Sequence, residues 1–150
     1  MRKLFSTNDD ITLTVLRLAL GAAFFYHGTQ KALGWFGGPG FSNMVTGFES
    51  AGIPAPLAFL AIMAEFLGGI GLLLGLLSRI AAFGIMVNML VAIFTVNLPN
   101  GFSMNWGGQQ KGEGYEFHVL AVAMGLAILV KGAGLWSVDR AIDRNLGNAG

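Results

Sequence analysis

The chain has 150 residues, 54% of them hydrophobic and 11% charged, with a mean hydropathy of +0.64 and a net charge of +1. Soluble domains carry roughly 25% charged residues, so most of this surface is expected to face lipid, and the lack of any long basic run excludes a nucleic-acid footprint. The absence of cysteine excludes disulfides, thiolate metal sites and a thiol relay within the chain.

A bilayer core takes about 20 mostly apolar residues in helical form. Four segments approach that length: 11–33, 54–77, 80–98 and 115–136. The polar opening MRKLFSTNDD and the lack of a small-residue cleavage site after the first apolar run predict a span there, not a cleaved leader. The second segment carries Pro54 and Pro56 at its start, where a helix tolerates them. It also contains GGIGLLLG, whose Gly71 and Gly75 form a small-xxx-small pair of the kind that lets helices approach closely. The link Ser78-Arg79 is so short that segments two and three must form an antiparallel hairpin. The other two links, GWFGGPGFSNM and NLPNGFSMNWGGQQKGEG, are long and rich in Gly, Asn and aromatic residues. GWFGGPG lacks the G-x-x-x-x-G-K-[ST] pattern and follows a helix, so it does not read as a phosphate loop. Trp35, Phe36, Phe41 and Trp106 suit the headgroup zone.

With four spans, Arg2, Lys3, Arg79, Lys131, Arg140 and Arg144 share one side and Lys31 and Lys111 the other. This asymmetry predicts both termini in the cytoplasm and the two long links outside. The tail SVDRAIDRNLGNAG is expected to form a short amphipathic helix on the cytoplasmic surface. The fold class that results is all-α: a four-transmembrane-helix bundle, N-in and C-in, forming one integral membrane domain over 1–150.

Ionisable residues inside spans are costly and tend to be paired and functional. Arg17 in segment one and Glu65 in segment two are expected to face each other, with Asn88 of segment three as a third partner. Such a pair either sets helix register or provides a proton-handling carboxylate below a ligand pocket. A second polar cluster lies at the outer ends. His27, Gln30 and Lys31 close segment one, and Tyr115, Glu116 and His118 open segment four. Arg17, Gly21, Phe24, Gly28 and Lys31 share one helical stripe, with His27 on its flank. Glu116 and His118 point to different sides of their helix, and Glu116, in line with Ala123 and Ala127, is the expected inward residue. The outer cluster allows three readings: interfacial polar groups, a pocket for a small hydrophobic ligand such as a quinone, or a metal set. The spacing matches no local metal motif, and no metal is expected.

Several stretches together are similar to one family. YHGTQKALGWFGGPGF, AEFLGGIGLLLGLLSRIAA, VAIFTVNLPNGF, the GYEF opening of the last span and WSVDR after it resemble the DoxX/DoxD-like small membrane proteins, over about Leu16 to Arg140. The resemblance implies a bacterial cytoplasmic-membrane protein with four spans. It also implies a link to quinone-dependent oxidation of reduced sulfur compounds, as in a thiosulfate:quinone oxidoreductase, or to thiol-redox complexes. A cysteine-free chain would need a soluble redox partner or second subunit to supply the thiol or cofactor.

The expected function is therefore a membrane subunit of a quinone-linked redox system. His27 and Glu116 would bond the ligand or shuttle protons, and Gln30, Lys31, Tyr115 and His118 would line the pocket. Trp35, Phe36 and Trp106 would cover its entrance, while Arg17, Glu65 and Asn88 brace the bundle. The alternatives are a non-catalytic scaffold that recruits soluble redox proteins, and a small transporter, which would need a homo-oligomer to form a pore.

Overall fold

The computed structural model describes residues 2–148, and every regular element among them is helical. A one-turn helix, α1 (Arg2–Phe5), precedes the long α2 (Ile11–Leu33). Asp10 starts α2 by accepting the Thr12 amide on its carboxylate, which satisfies one of the amides a helix start leaves free. Gly34, at φ 72°, ends it in the left-handed region, where a residue without Cβ carries no penalty. The chain then folds back on the helix end: a Cβ on Gly38 would lie 2.4 Å from the Gln30 carbonyl oxygen.

The stretch after this turn is not a loop. It forms α3 (Gly40–Ser50), which packs on α2 and on the next helix. Met44, Val45 and Phe48 fall on one side of it and, with Gly40, are its half-buried residues, the usual reason a short polar segment becomes helical. Eleven residues are too few to span a membrane, so span length gave no warning of α3.

α4 (Ala55–Leu74) and α5 (Ser78–Ala92) form the expected hairpin, although its link is Gly75 to Leu77. A π-turn (Ile93–Asn97) and a 3-10 turn (Leu98–Asn100) extend α5 without a break. Among the described residues three helices are long and apolar enough to cross a membrane: Ile11–Leu33, Ala55–Leu74 and Ser78–Asn100. The fourth expected segment is shorter. α6 (Glu116–Lys131) has 16 residues, roughly 24 Å at 1.5 Å per residue, against a hydrocarbon core of about 30 Å. It ends at Gly132, whose φ of 90° a helix cannot continue, and residues 132–137 run on in irregular backbone. α6 lies along α5 and touches α2. The tail forms α7 (Val138–Asn148); Ala149 and Gly150 of the expected tail helix lie outside the described residues.

The most extensive contact between helices is that of α2 with α4. A Cβ on Gly28 would sit 2.5 Å from the Phe66 Cα, one on Gly69 2.4 Å from the Phe25 nitrogen, and one on Gly21 2.9 Å from the Leu73 nitrogen. The two backbones touch through glycine, as membrane helices can when small residues line the seam. The pair expected to do this, Gly71 and Gly75, is used otherwise. Gly75 closes α4 at φ 67°, and a Cβ on Gly71 would meet the hairpin link at Leu76. Around the seam, Leu20, Phe24, Leu72, Ala82, Ile85, Met89, Ala121 and Ile128 form the core.

This antiparallel register overturns the expected Arg17–Glu65 pair. With Gly28 facing Phe66 and Gly21 facing Leu73, Arg17 comes level with the hairpin link and Glu65 with Thr29. The two residues are about 12 positions, or roughly 18 Å, apart along the axis. Arg17, 1% exposed, instead gives its guanidinium to backbone carbonyls. Nε donates to Ala133 (2.9 Å), Nη1 to Leu72 and to Leu73 (2.9 Å), and Nη2 to Trp136 (3.2 Å). Leu72 and Leu73 belong to the last turn of α4, where carbonyls lack the usual helical partners; Leu72 also accepts the Gly75 amide at 3.2 Å. Arg79 does the same for α6, donating to Leu129 and Val130 and also to Ser6. Asp139 closes the hairpin from the other side, accepting the amides of Leu77 (2.7 Å) and Ser78 (2.9 Å) at the start of α5. Outside the bundle, Arg140 donates to Asp9. That bond holds the exposed Asp9 carboxyl below its ordinary range, so the tether is present above that range and lost as pH falls through the lowered value.

If the glycine seam sets the register, Gly28→Val should lower the unfolding free energy by about 1–3 kcal/mol, the usual cost of overpacking. Gly47→Ala on α3, where a Cβ meets nothing within 4 Å, should be neutral or slightly stabilising. Thermal unfolding of the two detergent-purified variants measures both; equal behaviour would contradict the seam.

Candidate functional site

Glu65 sits midway along α4 and is 3% exposed. A bare carboxylate at that depth would cost several kcal/mol. Three donor contacts offset it. Lys31 Nζ, reaching across from the last turn of α2, lies 2.6 Å from both carboxylate oxygens. Asn88 Nδ2, from α5, donates to Oε1 at 2.8 Å. These are short, charge-assisted contacts. The Lys31 side chain remains 27% exposed, so the pair is sealed on the Glu65 side and open on the Lys31 side.

The fourth helix contributes His118. Its imidazole is within electrostatic reach of both Lys31 and Glu65. Its Nδ1 is buried and has no hydrogen-bond partner, a condition that costs about 1–3 kcal/mol where nothing relieves it. α2, α4 and α5 thus each direct one polar side chain to a common centre, and His118 of α6 lies within electrostatic reach of it.

This arrangement corrects the choice of Glu116 as the inward residue. The buried residues of α6 are Ala121, Gly125 and Ile128, and His118 lies on that stripe at i−3, i−7 and i−10. Glu116, two positions earlier, points elsewhere: its Oε2 accepts the Met104 amide at 3.3 Å. The hydrogen bonds of His27 also lead away from Glu116. His27 Nδ1 lies 3.2 Å from Gln30 Oε1, and Gln30 Nε2 lies 3.4 Å from the Phe36 carbonyl oxygen. The space between α2 and α6 is occupied by rings, with Phe24 and His27 each 6.1 Å from Phe117 between centroids.

The remaining expected residues hold the two links. Phe36 stacks on Tyr26 (4.9 Å), with Trp35 edge-on to it (6.4 Å), so these rings pack on the end of α2. Tyr115 meets Phe102 at 5.5 Å. The long third link is pinned by Asn97 and Asn100, which both donate to the Glu113 carbonyl oxygen (2.9 and 3.1 Å). Trp106, expected as a cover, is 85% exposed and covers nothing in this chain. It sits at the tip of a self-bonded loop, which holds it outward. No group of three or more His, Asp or Glu side chains that could hold a metal ion occurs among the described residues.

Chemically, the centre holds an ammonium donor, a buried carboxylate, a fixed amide and an imidazole nitrogen free to donate or accept according to tautomer. It can bind a polar ligand atom at Lys31 and His118, and it can hold or pass a proton.

The DoxX family model matches residues 12–98, a stretch that includes Lys31, Glu65 and Asn88 and stops before His118. The chain is 32% identical to "Uncharacterized membrane protein Rv3486" of Mycobacterium tuberculosis (strain ATCC 25618 / H37Rv), over 95% of this chain and 88% of the relative. It is 30% identical to "Putative oxidoreductase CatD" of Bacillus subtilis (strain 168), over 64% of this chain and 67% of the relative. No solved structure matches the chain.

Removing one member of a buried ion pair strands the other. Glu65→Leu should therefore cost about 3–5 kcal/mol, somewhat less because Lys31 is partly solvated. Lys31→Met combined with Glu65→Leu should recover most of the loss. A double-mutant cycle on detergent-purified protein reads this directly, and additive losses would mean that the two side chains act independently.

Proposed function

The chain belongs to the DoxX family, and we propose that it is the membrane subunit of a quinone-linked redox system, with its ligand site at the Lys31–Glu65–Asn88–His118 centre. The observation that carries this reading is the buried His118 Nδ1 without a hydrogen-bond partner, within electrostatic reach of an ion pair whose lysine is partly open. Buried polar nitrogens are normally bonded, and one left free beside a charged donor suits a ligand with a carbonyl oxygen. A relative named as an oxidoreductase supports the redox class.

A quinone, when bound, supplies two-electron chemistry coupled to proton uptake. This chain's residues would do the rest. Lys31 Nζ and His118 Nδ1 hold the carbonyl oxygens. His118 would deliver or accept a proton at Nδ1, and Glu65 holds Lys31 in place. Asn88 fixes the carboxylate so that it stays on Lys31. Tyr26, His27, Gln30, Trp35 and Phe36 hold the outer end of α2 above the centre, and Tyr115, Glu116 and Trp106 order the facing loop. In this reading α6 crosses the bilayer as a fourth, short span, with both termini on the cytoplasmic side, as the Lys/Arg asymmetry favours. The chain has no cysteine, so any thiol the reaction uses comes from a partner.

The test is quinone retention. Protein purified from quinone-containing membranes should yield quinone on solvent extraction and mass spectrometry. His118→Gln and Lys31→Met should each lower the yield at least tenfold, the effect of losing one such hydrogen bond. Glu116→Gln and Trp106→Ala should retain it. Quinone-free wild-type protein, or loss in Glu116→Gln with retention in His118→Gln, would overturn this site.

A further inference from the structure

A groove of about 570 Å³ opens on the side of the bundle between α1, α5 and α6, lined by Lys3, Leu4, Arg79, Ile80, Phe83 and Leu129. It lies at the start of α5, about nine residues or roughly 14 Å along that helix from Asn88. It is separate from the Lys31–Glu65 centre.

Among the described residues, neither positive charge at the mouth of the groove forms an ion pair. Arg79 is satisfied in hydrogen bonding, but by the carbonyls of Ser6, Leu129 and Val130. These partial charges hold the guanidinium in place and leave its net charge uncompensated. Lys3 is exposed, with no hydrogen-bond or ion-pair partner among the described residues. The nearby acids are engaged: Asp9 with Arg140, and Asp139 with the amides that open α5. The wall of the groove is apolar. Ile80 and Phe83 are more than half exposed, and Val87, one turn beyond Phe83, prolongs the same outward stripe.

We propose that this groove seats an anionic phospholipid, with its phosphate at Lys3 and Arg79 and an acyl chain along Ile80, Phe83 and Leu129. Cationic pockets between membrane helices recognise anionic headgroups in this way. A free anion would make no use of the apolar wall. A zwitterionic lipid brings its own ammonium to a site that already holds two uncompensated cations. The apolar segment of a partner helix would have to bury Lys3 and Arg79 without a counter-charge.

The test uses the full chain in nanodiscs of phosphatidylcholine containing phosphatidylglycerol at about one lipid in five, with co-purifying lipid counted by native mass spectrometry. Wild-type protein should retain phosphatidylglycerol in preference to phosphatidylcholine. Lys3→Gln should lower that preference about fivefold, the factor one lysine contributes near a charged membrane surface. Ile80→Trp, which fills the groove and keeps both charges, should abolish the retained lipid. Lys111→Gln, on a different loop, should change nothing. Equal retention in wild type, Lys3→Gln and Ile80→Trp would overturn the proposal, as would displacement of the lipid by millimolar inorganic phosphate. Arg79 is left intact because it also caps α6.

Discussion

The polar contacts that α2 makes with α4 follow from how closely the two helices approach. Gly21 and Gly28 on one helix and Gly69 on the other leave no room for a Cβ between the backbones. A seam this tight admits one register, since a shift of one residue would drive a side chain into the facing backbone. That register sets Lys31 over Glu65 and Arg17 over the end of α4. Neither outcome is chosen by charge attraction alone: a free choice between Arg17 and Lys31 would not favour lysine for a buried carboxylate.

The two arginines show how a membrane protein handles helix ends that stop inside it. Each α-helix finishes with carbonyls that water would normally satisfy. Here Arg17 serves α4 and the segment after α6, and Arg79 serves α6 and the segment after α1. The guanidinium provides five donors in a fixed fork, and the negative end of the helix dipole welcomes its charge. Asp139 applies the mirror-image rule at the start of α5. The charged residues at this end are therefore joints between helices. Glu65 and Lys31, paired with each other and flanked by an unsatisfied imidazole, are of another kind.

Much of this was legible in the residues, and the failures have specific causes. Segment lengths and a short link, expected at Ser78-Arg79 and found at Gly75 to Leu77, marked α2, α4, α5 and their hairpin, because about 20 apolar residues are hard to read otherwise. α3 was hidden by its length and its polar face, although Met44, Val45 and Phe48 already had helical spacing. The stripe Arg17, Gly21, Phe24, Gly28 and Lys31 was visible, and it is the α4-facing surface of α2. Its partner was misjudged because depth was assigned from the sequence position of Arg17 and Glu65 without the register that Gly69 imposes. On α6, Gly125 and Ala121 shared a face with His118 and pointed to it as the inward residue; Ala123 and Ala127 pointed to Glu116. Two stripes of small residues on one helix cannot be ranked until the neighbouring helix is known. Asp139 gave no signal, since its role depends on a fold-back after α6 that no local pattern announces.

The centre between the four helices and the lipid-facing groove at the other end share a logic: charge is placed where apolar surface meets an opening. The centre depends on the α2–α4 register. Dipolar recoupling by solid-state NMR measures that register on lipid-embedded protein, with ¹⁵N in the lysine and arginine side chains and ¹³C in the glutamate carboxyls. Strong dephasing of the Lys31 ammonium by the Glu65 carboxyl, and none of the Arg17 guanidinium, is the result this structure predicts. Dephasing of Arg17 by Glu65, with Lys31 unaffected, would contradict it.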